Sequence, residues 1–343
     1  MKIDELQSQE KLKQIEKKNL VIKIPSSHRK LLPIKVKMDL QYPMYEINPM
    51  EYQFITKYKN KINDEKYYRV WDQYKKYSNR YELVHIPNNK KKNHDSIAFY
   101  IPLSRSFFKL WEMIVDFDLL PSEDIETPLL TGHIAEGPGG FMEAWIRARE
   151  NQLGKCRDKL YGITLVSSKR EIPGWDKMSY FIKNYSENIN ISYGSDGTGD
   201  IYQLENIKHF IKQTGKNSCY LVTADGGFDF SVDFIHQEQM AYKLIFSEIL
   251  IAISIQKPGG CFVCKFFDSF TLFTVKLLWL LNCCYREVII TKPVTSRPAN
   301  SEKYVVCRDF IGIDPDYLEK LYHTLFVWNQ IENEKNSYKV IDI

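Results

Sequence analysis

Residues 130–141 read LTGHIAEGPGGF and join a short apolar stretch to a glycine-rich turn. The stretch that ends with Ile134-Ala135-Glu136 predicts a β-strand, and the apolar spacing from Phe141 to Asn151 predicts a helix. Glycines between a strand and a helix let a ligand approach the backbone closely, and the first helical turn offers free amide donors. A tight turn without a ligand fits the same residues, because the spacing of neither a dinucleotide-binding loop nor a phosphate loop is present.

The chain around this unit alternates between strand and helix patterns. Strands are predicted at 160–165, 189–193, 219–224, 261–267, 287–291 and 303–308, and helices at 106–118, 201–212, 234–256 and 272–284. This alternation predicts an α/β fold in which helices cover both faces of a mostly parallel sheet. In such sheets ligands bind beyond the carboxyl ends of the strands, so residues at those ends are the candidates for chemistry.

The composition is that of a globular protein with a basic front end. Hydrophobic residues make up 44% of the 343, and the longest apolar runs, 244–255 and 270–281, are too short to span a membrane. Residues 1–100 contain 21 lysines and arginines against 12 acidic residues, whereas the remainder contains 26 against 31. This asymmetry indicates either a polyanion-binding extension or a solvated lysine-rich surface.

Cysteine usage and the N-terminus both indicate an intracellular protein. The seven cysteines are odd in number and lie mostly in apolar surroundings, which is typical of reduced thiols. The N-terminus has no apolar core of a secretory signal. Nucleus and cytoplasm, including a viral factory in the cytoplasm, are not distinguished by these features.

Charged residues stand where the predicted strands end or begin. Asp225 directly follows an apolar strand, Lys265 interrupts another, and Glu302 precedes the last one. Lys109 lies on the predicted helix just before the first strand. A buried charge is costly unless it has a partner or a substrate, and a buried lysine is either held by carboxylates or extends to solvent. Together these four residues indicate a site.

Two further patterns are interpreted as structural. Cys261 and Cys264 have C-x-x-C spacing, but residues three apart on a strand point to opposite faces, and no second pair of metal ligands follows. No metal site is therefore predicted. The aromatic residues between 67 and 77 could stack nucleobases, although their helical spacing is more typical of a core.

The order of these motifs resembles a known family. A lysine at 109, GPGGF at 137–141, DGGF at 225–228, CKFFD at 264–268 and SRPANSEKYVVC at 296–307 follow one another as in the FtsJ-like (RrmJ-type) ribose 2′-O-methyltransferases. The similarity extends over about residues 100–310 and is greatest to the eukaryotic and large-DNA-virus branch that modifies messenger RNA caps. The resemblance implies a Rossmann-like methyltransferase fold, dependent on S-adenosylmethionine, with a mostly parallel seven-stranded sheet and an N-terminal extension.

By this resemblance the family's lysine–aspartate–lysine–glutamate tetrad falls on Lys109, Asp225, Lys265 and Glu302. An amine with a pKa of ~10.4 is a poor base at neutral pH. Lys109 favours loss of a proton from Lys265, whereas the two carboxylates favour its retention, and the sequence leaves open which effect is larger. Our hypothesis is that Lys265 orients the ribose hydroxyl and takes or steers its proton, while the other three residues fix its charge and rotamer.

The resemblance also implies a binding region for S-adenosylmethionine, with no metal required. The implied contacts are Gly137, Pro138, Gly139, Gly140 and Phe141 for the methionine part, Thr164 and Leu165 for the adenosine, Asp200 and Ile201 for the adenine, and Asp225. Relatives often carry an acidic residue in place of His133 and a small residue in place of Glu136, so we expect Glu136 to contact the cofactor's amino group. The resemblance places the loop 195–201 near the adenine, and for Asp196 the alternative is an Asx turn that caps the helix 201–212.

Three segments are expected along the chain. They are a basic N-terminal extension (1–99) that contributes to RNA or cap binding, a methyltransferase domain (100–312) and a C-terminal helical tail (313–343). Arg297 and Asn300 are expected either to contact RNA or to brace the loop that carries Glu302.

The implied reaction is methylation of a ribose 2′-hydroxyl at the cap-proximal nucleotide of messenger RNA, of the cap 1 type. The alternatives are the same chemistry on ribosomal or transfer RNA, and a catalytically silent RNA-binding subunit of a capping complex. Capped messenger RNA and other capping or transcription machinery are the expected partners, and no membrane is among them.

Overall fold

The computed structural model describes residues 20–26, 29–34, 47–62, 70, 79–84, 98, 100–169, 172–227 and 235–333. The aromatic stretch 67–77 lies outside these residues except for Val70, as do residues 1–19 of the predicted extension and 334–343 of the predicted tail. No helix within the described ranges is long and apolar enough to cross a membrane.

An eight-stranded sheet forms the centre of the protein, in the order β1-β7-β8-β6-β5-β2-β3-β4. The strands are β1 (Leu20–Lys23), β2 (Leu130–Ile134), β3 (Lys159–Ile163), β4 (Ile189–Ser192), β5 (Cys219–Ala224), β6 (Gln256–Phe266), β7 (Tyr285–Lys292) and β8 (Lys303–Phe310). Strands β2 to β6 are parallel, β8 runs antiparallel between β6 and β7, and β1 pairs antiparallel with β7.

Helices cover both faces of this sheet. They are α1 (Pro49–Ile62), α2 (Ser106–Asp116), α3 (Gly140–Leu153), α4 (Ser179–Asn184), α5 (Leu204–Thr214), α6 (Gln237–Met240), α7 (Tyr242–Ile255), α8 (Leu272–Cys284) and α9 (Pro315–Asn333). One buried core lies between the sheet and α2, α3 and α4, and the other between the sheet and α5, α7, α8 and α9. The predicted Rossmann-like α/β architecture is therefore confirmed.

The strand count differs from the predicted seven because residues 20–23 add an eighth strand at the edge. All four residues of β1 are exposed, and their sequence, LVIK, does not alternate between apolar and polar residues as a half-buried strand would. Pairing with β7 fixes their place. The residues that follow remain in contact with the domain: the indole of Trp279 donates to the carbonyl of Lys30 (2.8 Å), and the hydroxyl of Tyr317 donates to the carbonyl of Leu32 (2.9 Å).

The structure differs from the prediction in two elements between residues 234 and 267. The helix predicted at 234–256 is divided into α6 and α7 at Ala241, and β6 begins at Gln256 rather than at Cys261. Gln256 pairs with Cys219 and Cys261 pairs with Leu221, so residues 257–260 form an irregularity inside the strand.

The alternation of side chains along the central strands determines where the site lies. Leu221 of β5, Val263 of β6 and Val306 of β8 all belong to the core under α2, α3 and α4. Because side chains two residues apart share a face, Lys265 and Tyr304 point toward that same layer, and Lys265 lies opposite Tyr304 in the antiparallel β6–β8 pair. Charged side chains thus gather at the carboxyl edge of β5 and β6, beneath α2.

Candidate active site

The outer half of the site is an ion pair between α2 and the start of β8. The ammonium nitrogen of Lys109 lies 2.7 Å from Oε1 of Glu302 and donates to its Oε2 at 2.8 Å. The hydroxyl of Ser296 donates to Oε1 of the same carboxylate (2.7 Å). Glu302 is buried and therefore receives three short polar contacts in place of water.

The inner half joins β5 to β6. Nζ of Lys265 donates to the backbone carbonyl of Asp225 (2.7 Å) and lies 3.2 Å from Oδ1 of its carboxylate. Asp225 follows the last residue of β5, and Ala224 lies beside Cys264 in the parallel β5–β6 pair. The strand register therefore brings these two charges together without help from a flexible loop.

Tyr304 connects the two halves. Its hydroxyl donates to Oδ1 of Asp225 (2.7 Å) and accepts from Nζ of Lys109 (3.3 Å). The structure thus brings Lys109, Asp225, Lys265 and Glu302 into one network with this buried tyrosine. Sequence reasoning assigned Tyr304 no role, because a tyrosine in an apolar strand is typical of a core.

The charges around Lys265 answer the question that the sequence left open. Burial lowers the pKa of its ammonium, but Asp225, Glu302 and Glu248 together hold this pKa above its ordinary value. Burial likewise raises the pKa of Glu302, but Lys109 and Lys265 lower it to about 2. The carboxylates therefore dominate over Lys109, and Lys265 is a cation at neutral pH.

The contacts of the Lys265 ammonium leave one of its N–H donors for a further hydrogen bond. A lysine ammonium carries three N–H groups. Two of them are directed at the carbonyl and the carboxylate of Asp225. The third has no hydrogen-bond partner among the residues that the structure describes, and it is available to an oxygen atom that enters the site.

Glu248 is a buried acid beneath this site. It lies within the apolar run 244–255, and the sequence alone gave it no role. Its Oε1 accepts the backbone N–H of Gly226 (3.0 Å), and its Oε2 accepts the thiol of Cys264 (3.6 Å). A Cβ at position 226 would collide with this carboxylate, which accounts for the glycine after Asp225. Burial raises the pKa of Glu248 to about 8, although Lys265 opposes the shift.

The glycine-rich turn at 137–141 is packed tightly against the protein itself. Gly139 has a φ of 95°, a conformation that favours glycine, and a Cβ there would collide with the thioether of Met178. A Cβ at Gly137 would collide with the carbonyl of Pro173. These contacts are what a tight turn requires on its own, so the role of the turn in cofactor binding stays a prediction.

Beside the turn, Glu136 and His133 form a buried polar group. The ring of His133 lies within hydrogen-bonding distance of the hydroxyls of Thr131 and Thr223 (2.8 Å each), and Thr223 donates to Oε1 of Glu136. The other oxygen of Glu136, Oε2, is buried without a hydrogen-bond partner in the described part of the chain. Burial raises the pKa of Glu136. An unpaired buried acceptor is unfavourable unless a donor binds there.

The predicted adenosine region is formed by two touching loops. The N–H of Val166 donates to the carbonyl of Thr198 (2.7 Å), and a Cβ on Gly199 would collide with the carbonyl of Thr164. Oδ1 of Asp196 accepts the N–H (2.9 Å) and the hydroxyl (2.7 Å) of Thr198, as the Asx-turn alternative expects. Asp200 also accepts locally, from the N–H of Tyr202 (2.9 Å).

Arg297 and Asn300 are held by other side chains. Arg297 donates to both carboxylate oxygens of Glu82, at 2.6 and 3.0 Å, and Nζ of Lys292 donates to Oδ1 of Asn300 (2.8 Å) and to the carbonyl of Glu302 (2.7 Å). These contacts brace the loop before β8. A contact of either residue with RNA stays a prediction.

The cysteines contribute no cation site. Cys261 and Cys264 belong to opposite cores, as their spacing on a strand predicts. Across the described ranges, no group of three or more histidine, cysteine, aspartate or glutamate side chains is arranged to hold a metal ion.

Comparison with known proteins gives one family and a group of longer relatives. The family model described as FtsJ-like methyltransferase matches residues 102–310. A cap-specific mRNA (nucleoside-2′-O-)-methyltransferase 1 from Mus musculus is 38% identical over 65% of this chain and 26% of its own length. The protein of the same name from Trypanosoma brucei brucei is 37% identical over 57% of this chain and 52% of its own length.

Among solved structures, a ribosomal RNA methyltransferase from Plasmodium falciparum is similar at 18% identity and a TM-score of 0.42, over 61% of this chain and 99% of that one. The present chain spans about a quarter of the length of the Mus musculus relative and about half of the length of the Trypanosoma brucei brucei relative.

Replacement of Glu248 by glutamine tests the burial of this acid. The unfolded chain releases the proton of Glu248 near its ordinary pKa of 4.5, whereas the folded protein keeps it to about pH 8. Its contribution to stability is therefore complete below pH 4.5 and declines up to pH 8, by at most roughly 1.4 kcal/mol per pH unit. Urea unfolding at pH 5, 6.5 and 8 should show the variant gaining stability relative to the wild type as the pH rises. The exposed Glu205→Gln is the matched control, and a pH-independent difference for Glu248→Gln would contradict the account.

Proposed function

Because this chain belongs to the FtsJ-like methyltransferase family, we propose that it methylates a ribose 2′-hydroxyl beside the cap of messenger RNA, with S-adenosylmethionine as the methyl donor. The observation that carries the proposal is the largely buried network in which Lys265 is held by Asp225 and linked through Tyr304 to Lys109 and Glu302. The similarity to cap-specific mRNA methyltransferases supports the cap as the substrate.

The residues around the turn fit the proposed cofactor. When bound, S-adenosylmethionine supplies an electrophilic methyl group on a positively charged sulfur. The unpaired Oε2 of Glu136 is suited to accept a hydrogen bond from the ammonium group of the cofactor. Glu136 directly precedes the turn 137–141, which we expect to contact the methionine part of the cofactor. Thr164, Leu165, Asp200 and Ile201 are the residues we assign to the adenosine, and Asp225 completes the acidic lining.

In this proposal Lys265 steers the substrate as a cation. Its third N–H donates to the ribose 2′-oxygen, which fixes the oxygen in place and favours negative charge as it develops there. The raised pKa keeps Lys265 as an ammonium, which has no lone pair to accept a proton, so in this proposal the hydroxyl proton is released to solvent water. Of the two roles considered from sequence, taking the proton or steering it, the structure supports the second.

The other three charged residues act on Lys265. Asp225 positions its amine through two contacts, and Glu302 adds a second negative charge that is itself held by Lys109. Such a set of buried ions is stable only with every partner present. Its completeness argues against the silent-subunit alternative, since a protein that needed only to bind RNA would have no use for four mutually compensated charges at one edge of the sheet.

We also propose that residues 1–99 contribute to RNA capture and that the protein acts together with other capping or transcription machinery. Their support is the basic balance of residues 1–100.

Methyl transfer to short RNAs tests the substrate. With labelled S-adenosylmethionine, a capped oligonucleotide should be methylated, and one with a 2′-deoxyribose at the first transcribed nucleotide should not, because the accepting oxygen is missing. The uncapped oligonucleotide is the matched comparison. Preferential methylation of uncapped, structured ribosomal or transfer RNA fragments would overturn the cap assignment while leaving the reaction class intact.

Replacement of Lys265 by alanine tests the steering role. We expect methyl transfer to fall about 100-fold or more, since removal of one preorganised donor to a developing charge typically has this effect. Binding of S-adenosylmethionine, followed by calorimetry, should stay close to wild type. Lys257→Ala, at the opposite end of the same strand, is the matched control. Substantial methyl transfer by Lys265→Ala with normal cofactor binding would disprove the role.

A further inference from the structure

Helix α1 is attached to the loop that follows β6. The ring of Tyr52 packs edge-on against Phe270 with centroids 5.5 Å apart, and the N–H of Ile47 donates to the carbonyl of Phe270 (3.0 Å). Nζ of Lys59 donates to Oδ2 of Asp268 (2.7 Å), an ion pair that is largely buried. These contacts fix one side of α1 to the catalytic domain.

This attachment places α1 beside the candidate active site. Asp268 lies three residues after Lys265, and its other oxygen is 3.4 Å from Nζ of Lys303, the neighbour of Glu302. The loop under α1 thus begins at the carboxyl end of β6, at the same edge of the sheet as the charged network.

The opposite side of α1 carries exposed apolar residues, which we name the α1 stripe: Met50, Phe54 and Tyr58, with exposed fractions of 77%, 63% and 49%. They are four residues apart and therefore share one face of the helix over ~12 Å. The rings of Phe54 and Tyr58 are 4.8 Å apart, and Nζ of Lys61 lies 4.9 Å from the centre of the Tyr58 ring.

The chemistry of the α1 stripe favours a single-stranded nucleic acid. Aromatic rings interleaved with cations bind successive bases by stacking and the backbone by charge, without sequence preference. Lys57 and Lys61 are exposed along the stripe, whereas Glu51 is the acidic residue of this helix. The stripe is open and elongated, so it suits several successive bases. A single base would need an enclosed slot.

We propose that the α1 stripe binds the transcribed nucleotides downstream of the methylated ribose, with their unstacked bases against Phe54 and Tyr58. This inference rests on the proposed function for the identity of the RNA. It adds a binding site outside the catalytic network, on a segment that precedes the residues matched by the family model.

The test is RNA binding by the double variant Phe54→Ala/Tyr58→Ala, measured by fluorescence anisotropy without cofactor. The dissociation constant for a capped RNA of about twelve nucleotides should rise about 10-fold or more, since the variant loses both rings on which bases stack. Affinity for a cap dinucleotide should not change. Phe326→Ala, which removes an exposed aromatic from α9, is the matched control, and Phe54→Trp/Tyr58→Trp should retain binding because it keeps the stacking surface.

Three outcomes would overturn the inference. They are unchanged affinity of a folded alanine variant for the long RNA, an equal loss for the cap dinucleotide, and a wild-type dimer that the substitutions dissociate in sedimentation, which would make the stripe an interface between copies. Because binding is measured apart from methyl transfer, absence of methylation with an intact stripe effect would reject the proposed function and leave only the binding of single-stranded RNA by the α1 stripe.

Discussion

The ammonium of Lys265 is a positive charge at the end of a buried strand, and the site is arranged around the need to compensate it. Removing an ion from water is costly, and the cost is recovered only when charges and hydrogen bonds surround it. Asp225 meets this need twice, through its carbonyl and its carboxylate. Glu302 adds a second negative charge, which in turn requires Lys109 and Ser296. The chemistry proposed for the site follows from that chain of compensation.

The sheet explains why these partners meet. Asp225 follows β5, Lys265 lies in β6 and Tyr304 lies in β8, and the three strands are neighbours. Side chains in a strand alternate between faces, so the three residues lie on the face that α2 covers. Glu248 supports the arrangement from the other face by holding the N–H of Gly226 directly after Asp225. A rigid sheet thereby fixes charges that a loop would place less accurately.

Much of this could be predicted from the sequence because periodicity and turn chemistry are local. The strand 219–224 and the helix 272–284 were predicted at their observed bounds, the α/β class is confirmed, and the family resemblance over about residues 100–310 is confirmed by a match at 102–310. The roles of Tyr304 and Glu248 could not be predicted, since each lies in an apolar run and acquires its partners only through folding. Strand β1 was missed for the opposite reason: it is exposed, and its pairing with β7 has no local signature.

The ionisation of Lys265 in the free protein is the central claim, and carbon-13 NMR of labelled lysine side chains measures it directly. The Cε resonance of Lys265, assigned by its loss in Lys265→Arg, should titrate with a midpoint above the ordinary lysine value of ~10.4, because Asp225, Glu302 and Glu248 hold the charge. A midpoint well below that value would show that burial and Lys109 outweigh the carboxylates. Lys265 would then be a base, and the steering mechanism would be wrong.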